Sequence, residues 1–287
     1  MSSEQKPQGV LTVACPDRKG IVASVSRFLF EHDCNIIDSQ QFGDRDNGRF
    51  FLRISFASES GHAIAALEEK FAAIAADFAM DAKFYDASRN TRTIIMVSKF
   101  GHCLVDLLYR LRIGALPIEV PLIVSNHRDF ADVAAASGIP FRYLPLTGDN
   151  KKEQEAALAE IVAEKKIDLI VLARYMQVLS KDFCGRMPGR IINIHHSFLP
   201  SFKGAKPYHQ AHDRGVKLIG ATAHYVTDDL DEGPIIEQEV ERVSHALSAD
   251  ECVGVGRDIE SRVLARAVKW HAEHRILLNG RRTVVFV

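Results

Sequence analysis

A chain of 287 residues with 47% apolar and 25% charged side chains supplies enough apolar material for one or two packed cores and excludes an intrinsically disordered protein. Its 36 Lys and Arg balance 37 Asp and Glu, so no strong field favours nucleic acid or an anionic membrane as partner, and a small-molecule substrate is expected. The opening MSSEQKPQG lacks the basic-then-apolar layout of a secretion signal. The longest apolar runs, such as 167–173, fall well short of the ~20 residues that span a bilayer; a cytoplasmic protein is expected. Cys15, Cys34, Cys103, Cys184 and Cys252 are scattered without a CxxC pair, as expected of reduced, buried thiols.

From residue 9 to 86 the pattern runs strand, helix, strand, strand, helix, strand. Residues 10–14 form a short apolar strand, after which Ile21, Val25 and Leu29 share a helical face. Phe50, Leu52, Ile54 and Phe56 alternate as in a half-buried strand, Ile64, Leu67, Phe71, Ile74 and Phe78 mark a second amphipathic helix, and 82–85 a last strand. This is a ferredoxin-like βαββαβ order.

The stretch VACPDRKGIVASVSRFLFEHDCNIID resembles the opening of ACT domains. The resemblance implies a regulatory or oligomerisation domain over 1–88, with an amino-acid effector such as glycine or methionine and pairing into a homo-oligomer. Asp17, Gly20, Asn35 and Ile36 fall on the loops that form the effector site in that family. The alternative is that Gly20 only relaxes a loop and the domain only pairs subunits.

The polar break ASRNTR at 87–92 separates this domain from a second over 89–287. There, strand-like runs at 93–97, 118–124, 141–144, 169–173 and 191–195 alternate with helical patterns at 103–112, 130–136 and 154–164, which predicts a Rossmann-like α/β domain with a mostly parallel sheet. Ser248 and Glu251 have capping-box spacing ahead of a helix reaching about residue 271. That helix absorbs the GVGR fragment, which is not a nucleotide loop. Asn279-Gly280 is a hairpin signal and is read as closing the second domain.

The chemistry concentrates between residues 191 and 236, INIHHSFLPSFKGAKPYHQAHDRGVKLIGATAHYVTDDLDEGPII. Asn193 offers a donor to a developing oxyanion, His195 and His224 a donor or proton carrier, and Asp231 a charge or base able to direct water. Singly, each also fits a strand-end or turn-capping role. Five histidines crowd the segment, yet there is no HExxH and no nearby cysteine pair, so no metal is expected. Cys103 beside His102 is open to reading as a nucleophile with its base or as packing.

INIHHSFLPSFKG combined with AHYVTDDLDEGPII resembles the folate-dependent formyltransferase family, and the resemblance extends over nearly all of 93–287. It implies catalytic roles for Asn193, His195 and Asp231, with His224 beside the Asp. It further implies a folate pocket lined by LARYMQVLS at 172–180 and by the segment after His224, giving Met176, Leu179, Val226, Thr227 and Asp228 as substrate-binding candidates. Met176 and Leu179 fit core packing equally well.

Nucleotide-using members carry a glycine-rich loop where this chain has SKFGHCLVDLL, and Lys99, Phe100, Gly101 and His102 make a poor phosphate cradle. They usually have proline where this chain has His196, whose role is either to position water or to fill space. These departures, with the fused ACT-like domain, resemble the family branch that hydrolyses 10-formyltetrahydrofolate to formate and tetrahydrofolate. The branch balances one-carbon pools and supplies formate for purine synthesis. Water is then the acceptor, the folate is substrate rather than cofactor, and no other cofactor is implied. The alternative is formyl transfer to an amine or nucleotide.

Overall fold

The computed structural model describes residues 7–199, 207–229 and 231–287; the expected SFKG part of the motif and Leu230 lie outside them. In chain order the elements are β1 (Gln8–Pro16), α1 (Ile21–Glu31), β2 (Cys34–Asp44), β3 (Arg49–Ser58), α2 (Ile64–Asp77) and β4 (Asp81–Asp86). Then follow β5 (Thr91–Val97), α3 (His102–Arg112), β6 (Ile118–Ser125), α4 (Ala131–Ala136), β7 (Phe141–Tyr143), α5 (Lys151–Glu164), β8 (Leu169–Leu172) and α6 (Lys181–Arg186). The chain ends with β9 (Ile191–His195), α7 (Pro207–Asp213), β10 (Leu218–Tyr225), β11 (Ile235–Arg242), α8 (Ala249–Ala272), β12 (Ile276–Asn279) and β13 (Arg282–Val285). Two compact units result: one holds the chain through Asn90 with Glu273–Asn279 and Val284–Val287, the other Thr91–Ala272 with Gly280–Thr283.

The first unit is an antiparallel sheet in the order β2-β3-β1-β4, the ferredoxin-like arrangement. Leu52, Ile54 and Phe56 of β3 and Leu11, Val13 and Cys15 of β1 point to a core closed by Ile21, Val25 and Leu29 of α1 and Leu67 and Phe71 of α2. Strand alternation sends Ala14 and Phe51 to the opposite face, where Leu277 and Phe286 from the chain's end pack on them. The terminal strands, expected to close the second domain, therefore contribute most of their residues to the first unit. Leu277, Val284 and Phe286 complete a second small core there, too few apolar side chains to build one alone. Gly280, at φ 62°, makes the turn between them that the Asn-Gly pair predicts.

The second unit holds a seven-stranded sheet ordered β11-β10-β9-β8-β5-β6-β7. β5, β6, β7, β8 and β9 run parallel, whereas β10 pairs antiparallel with both β9 and β11. Runs such as LIVL in β8 are buried throughout, as expected of parallel strands covered on both faces. Strand order reverses between β5 and β8, and the carboxyl ends flanking such a switch form the usual ligand crevice. Both ends of the capping box on α8 are made: Ser248 Oγ accepts from Glu251 N at 3.3 Å, and Glu251 Oε2 accepts from Ser248 N at 2.7 Å. The GVGR fragment lies inside that helix. No helix among the described residues is long and apolar enough to cross a membrane.

Candidate active site

Four side chains that are widely spaced in sequence converge at the carboxyl end of β9. The antiparallel register of β9 and β10 sets His224 directly opposite Asn193 and Thr222 opposite His195, so two of the four are a cross-strand pair. The loop leaving β10 then folds back to bring in Asp231. Gly233 makes that return possible: a Cβ there would lie 1.7 Å from the Tyr225 carbonyl oxygen. Tyr225 N donates to Pro234 O at 2.9 Å and pins the turn, while Asp231 itself sits at φ 56°, a conformation that costs a non-glycine residue energy.

The hydrogen bonds fix how these groups face one another. His224 Nδ1 lies 2.9 Å from the Tyr225 carbonyl oxygen; a carbonyl only accepts, so Nδ1 carries the proton. Nε2 of His224 then faces Asn193 Nδ2 at 3.3 Å and Asp231 Oδ1 at 3.7 Å. His195 Nδ1 lies 3.3 Å from Asp231 Oδ2, and its Nε2 is buried with no hydrogen-bond partner among the described residues. Burial alone raises the Asp231 pKa, but the hydrogen bonds and charges of His195 and His224 outweigh it and hold the carboxyl well below the usual range. His196, with its ring 5.3 Å from that of His195, is pushed down to about 4 by burial first and by Arg174 second, and is neutral at physiological pH.

The predicted folate segments also meet. Leu179, after β8, is buried in the same cluster against which Val226, after β10, packs. Met176 is half-exposed and its amide donates to Ser98 Oγ at 3.1 Å. Thr227 bonds the carbonyl of Asp229, and Asp228 reaches Lys181 at 3.8 Å. In the first unit Asp17 and Gly20 lie between β1 and α1, Gly20 at φ 96°, while Asn35 and Ile36 are exposed on β2.

Within Ser98–His102, Lys99 and Phe100 are exposed while Gly101 is closed off by an aromatic ring. A Cβ on Gly101 would lie 2.1 Å from the Phe130 ring, so the glycine admits an aromatic ring rather than a phosphate. His102 Nε2 bonds Glu260 Oε2 at 2.7 Å instead of activating Cys103, whose thiol burial pushes well above its ordinary value. All five cysteines are free and buried. His102, Cys103 and Glu260 have ligand atoms within 4.8 Å of one another, yet the Arg174 guanidinium, 3.4 Å from the same Glu260 oxygen, repels a divalent cation.

Sequence reasoning missed this buried network. Glu260, only 1% exposed, holds His102, Arg174 and, at 2.9 Å through its hydroxyl, Tyr208. The available signal was a glutamate inside the apolar stripe of Ile259, Val263 and Leu264. Gly233 and Arg174 were also not singled out.

Residues 91–268 match the formyl transferase family model and residues 9–72 the ACT domain model. The formyltetrahydrofolate deformylase of Corynebacterium sp. (strain P-1) is 50% identical over 96% of this chain and 97% of its own length. That of Bacillus subtilis (strain 168) is 49% identical over 97% and 94%. A solved formyltetrahydrofolate deformylase from Burkholderia mallei has a TM-score of 0.94 at 52% identity, covering 98% of this chain and all 100% of that one. A glycinamide ribonucleotide transformylase from Symbiobacterium toebii reaches only 0.66 at 30% identity, over 71% of this chain and 97% of its own, so both units, and not the catalytic unit alone, are shared with the deformylases. With both family models matched in order and near-complete mutual coverage, the chain belongs to the formyltetrahydrofolate deformylase family.

Proposed function

We propose that this chain hydrolyses 10-formyltetrahydrofolate to formate and tetrahydrofolate, with water as the formyl acceptor. The observation that carries the reading is the convergence of Asn193, His195, His224 and Asp231 around a buried, unpartnered His195 Nε2. Asn193 Nδ2 lies 3.3 Å from His224 Nε2, which places the amide where an N–H group can donate to a carbonyl oxygen. His195, held through Nδ1 by Asp231, presents Nε2 to the same reacting group. Together they supply donors for the tetrahedral oxyanion.

The steps balance simply. Water oxygen adds to the formyl carbon, and one water proton leaves through Asp231 or through the His195–Asp231 pair. Collapse of the adduct breaks the C–N bond and delivers a proton to the folate nitrogen. The second water proton is lost as formic acid becomes formate. A carboxylate held as low as Asp231 is a weak resting base, so its stronger contributions are orienting water and stabilising charge on His195. Met176, Leu179 and the segment of Val226, Thr227 and Asp228 are assigned to the folate itself. No cofactor or metal takes part in this scheme.

Transfer to a nucleotide amine is the less supported reading, because Phe100 and the Gly101–Phe130 contact occupy the segment where a phosphate cradle is needed. The deciding experiment supplies 10-formyltetrahydrofolate alone and measures formate: steady release supports hydrolysis, and none without an added amine refutes it.

For the first unit, we infer an amino-acid effector site at Asp17, Gly20, Asn35 and Ile36, and pairing into a homo-oligomer. β2 is an edge strand that exposes Ile36, Ile37 and Phe42, an apolar edge that a second copy would cover. Flat rate responses to glycine, methionine and the other amino acids would remove the first inference. A monomer in sedimentation at micromolar concentration would remove the second.

A further inference from the structure

Beside the four reacting groups lies a second cluster with no role in the scheme above. Arg174 follows β8, whose Leu172 is paired with Asn193 of the adjacent parallel strand β9. Two residues beyond that pair stand Arg174 on one strand end and His195 on the other, and neighbouring strands run roughly 5 Å apart. Arg174 is a non-glycine residue at φ 64° and its side chain is 10% exposed. Strain and burial of this kind, at the carboxyl edge of an α/β sheet, accompany ligand contacts.

Two of the three Arg174 guanidinium nitrogens, Nε and Nη1, are buried without a hydrogen-bond partner among the described residues. Glu260 Oε2, at 3.4 Å from Nε, balances the charge but is itself engaged by His102 at 2.7 Å, and Oε1 by the Tyr208 hydroxyl at 2.9 Å. Phe100, with its ring centroid 5.6 Å from the guanidinium carbon, provides an apolar neighbour. A buried guanidinium with two idle N–H groups on Nη1 calls for an anion or water that completes it. His196 bridges the two clusters, its ring 5.3 Å from His195 and 6.5 Å from Tyr208.

We propose that Arg174 forms a small-carboxylate subsite next to the reaction centre, which takes formate as it separates from the folate. The inference rests on the hydrolysis reading for the identity of the anion. Charge-assisted N–H donors on Nη1 would hold the formate oxygens, and neutral His196 would add a hydrogen bond without a second positive charge. Glu260 sets the depth of the site and keeps the guanidinium from binding larger anions tightly. Formate is then a product inhibitor that binds the free protein.

The test is titration of isotope-labelled formate into the full-length protein without folate, followed by the line width of its NMR signal. Matched chloride serves as the salt control. Arg174→Gln should weaken formate binding roughly ten- to a hundredfold, with Arg174→Lys intermediate. Asp231→Asn, which by the proposed mechanism stops turnover, should keep formate binding. If the wild type releases no formate without an added amine, the hydrolytic assignment is at fault; if it does while Arg174→Gln binds formate as the wild type does, the subsite is at fault. Should the Arg174 variants not fold, a crystal of the wild-type protein soaked in formate decides: a carboxylate on Arg174 Nη1 supports the subsite, and formate elsewhere or absent overturns it.

Discussion

Replacing Gly233 with alanine tests how closely catalysis depends on the return of the Asp231 loop. The added Cβ would lie 1.7 Å from the Tyr225 carbonyl oxygen and 3.4 Å from His224 Nδ1. The clash is with backbone that cannot swing aside, because that carbonyl also accepts from His224 Nδ1 at 2.9 Å. The loop must give by more than about 1 Å to restore ordinary contact. Asp231, two residues away, holds His195 at 3.3 Å and His224 at 3.7 Å, distances that do not survive such a shift. Displacement of this size costs catalysis roughly 100-fold, with a loss of ~1–3 kcal/mol in stability from overpacking. Formate release by Gly233→Ala should therefore fall about 100-fold while the protein still melts cooperatively. The control is Gly254→Ala on the exposed side of α8, where no atom lies within 4 Å of the new Cβ. It should leave turnover unchanged and raise stability by up to ~1 kcal/mol. Turnover within threefold of wild type in Gly233→Ala would sink the argument that Gly233 places Asp231.

Asn193→Ala should lower kcat about 100- to 1,000-fold with a small change in KM, since it removes one oxyanion donor; steady-state kinetics on folded variant checks this. Asp231→Asn and His195→Ala should come close to abolishing formate release, with deamidation of the Asn variant excluded by mass spectrometry. Because His196 falls from 6.5 unfolded to about 4 folded through burial, the unfolded chain binds the extra proton between those values. Stability should thus decline as pH drops from 6.5 towards 4, by on the order of 3 kcal/mol in total, and His196→Gln should flatten that decline in pH-dependent urea melts. Asp231 has the depressed carboxylate pattern: its contribution is present above its unfolded pKa and is lost as pH falls towards the folded value. Asp231→Asn should accordingly lower stability at pH above about 4 and converge with the wild type as the pH falls below it.

Much of the fold was legible because parallel strands leave a plain signature. LIVL of β8 and IIMV within β5 are short apolar runs between helical patterns, and Ser248 with Glu251 marked the start of α8 correctly. β10 and β11 were not assigned. LIGATAHY is built of small residues and is buried almost throughout, so it shows no alternation. IIEQEVER of β11 is a polar edge strand whose glutamates pair with Arg262 and Arg266 of α8. The types of the site residues were visible in the motif, but the pairing of Asn193 with His224 depends on a register that no local pattern encodes. Arg174 and Glu260 escaped for the same reason, since each derives its meaning from partners on other elements. The terminal hairpin was recognised from Asn279-Gly280; that Leu277 and Phe286 join the core around Phe51 is a long-range packing outcome.

The destination of the formyl group separates hydrolysis from transfer. Single turnover in heavy-oxygen water, with 10-formyltetrahydrofolate and glycinamide ribonucleotide both present, follows it directly. Hydrolysis predicts formate carrying one solvent oxygen, with tetrahydrofolate in equal amount and no formylated ribonucleotide. Formylglycinamide ribonucleotide in place of labelled formate would contradict it.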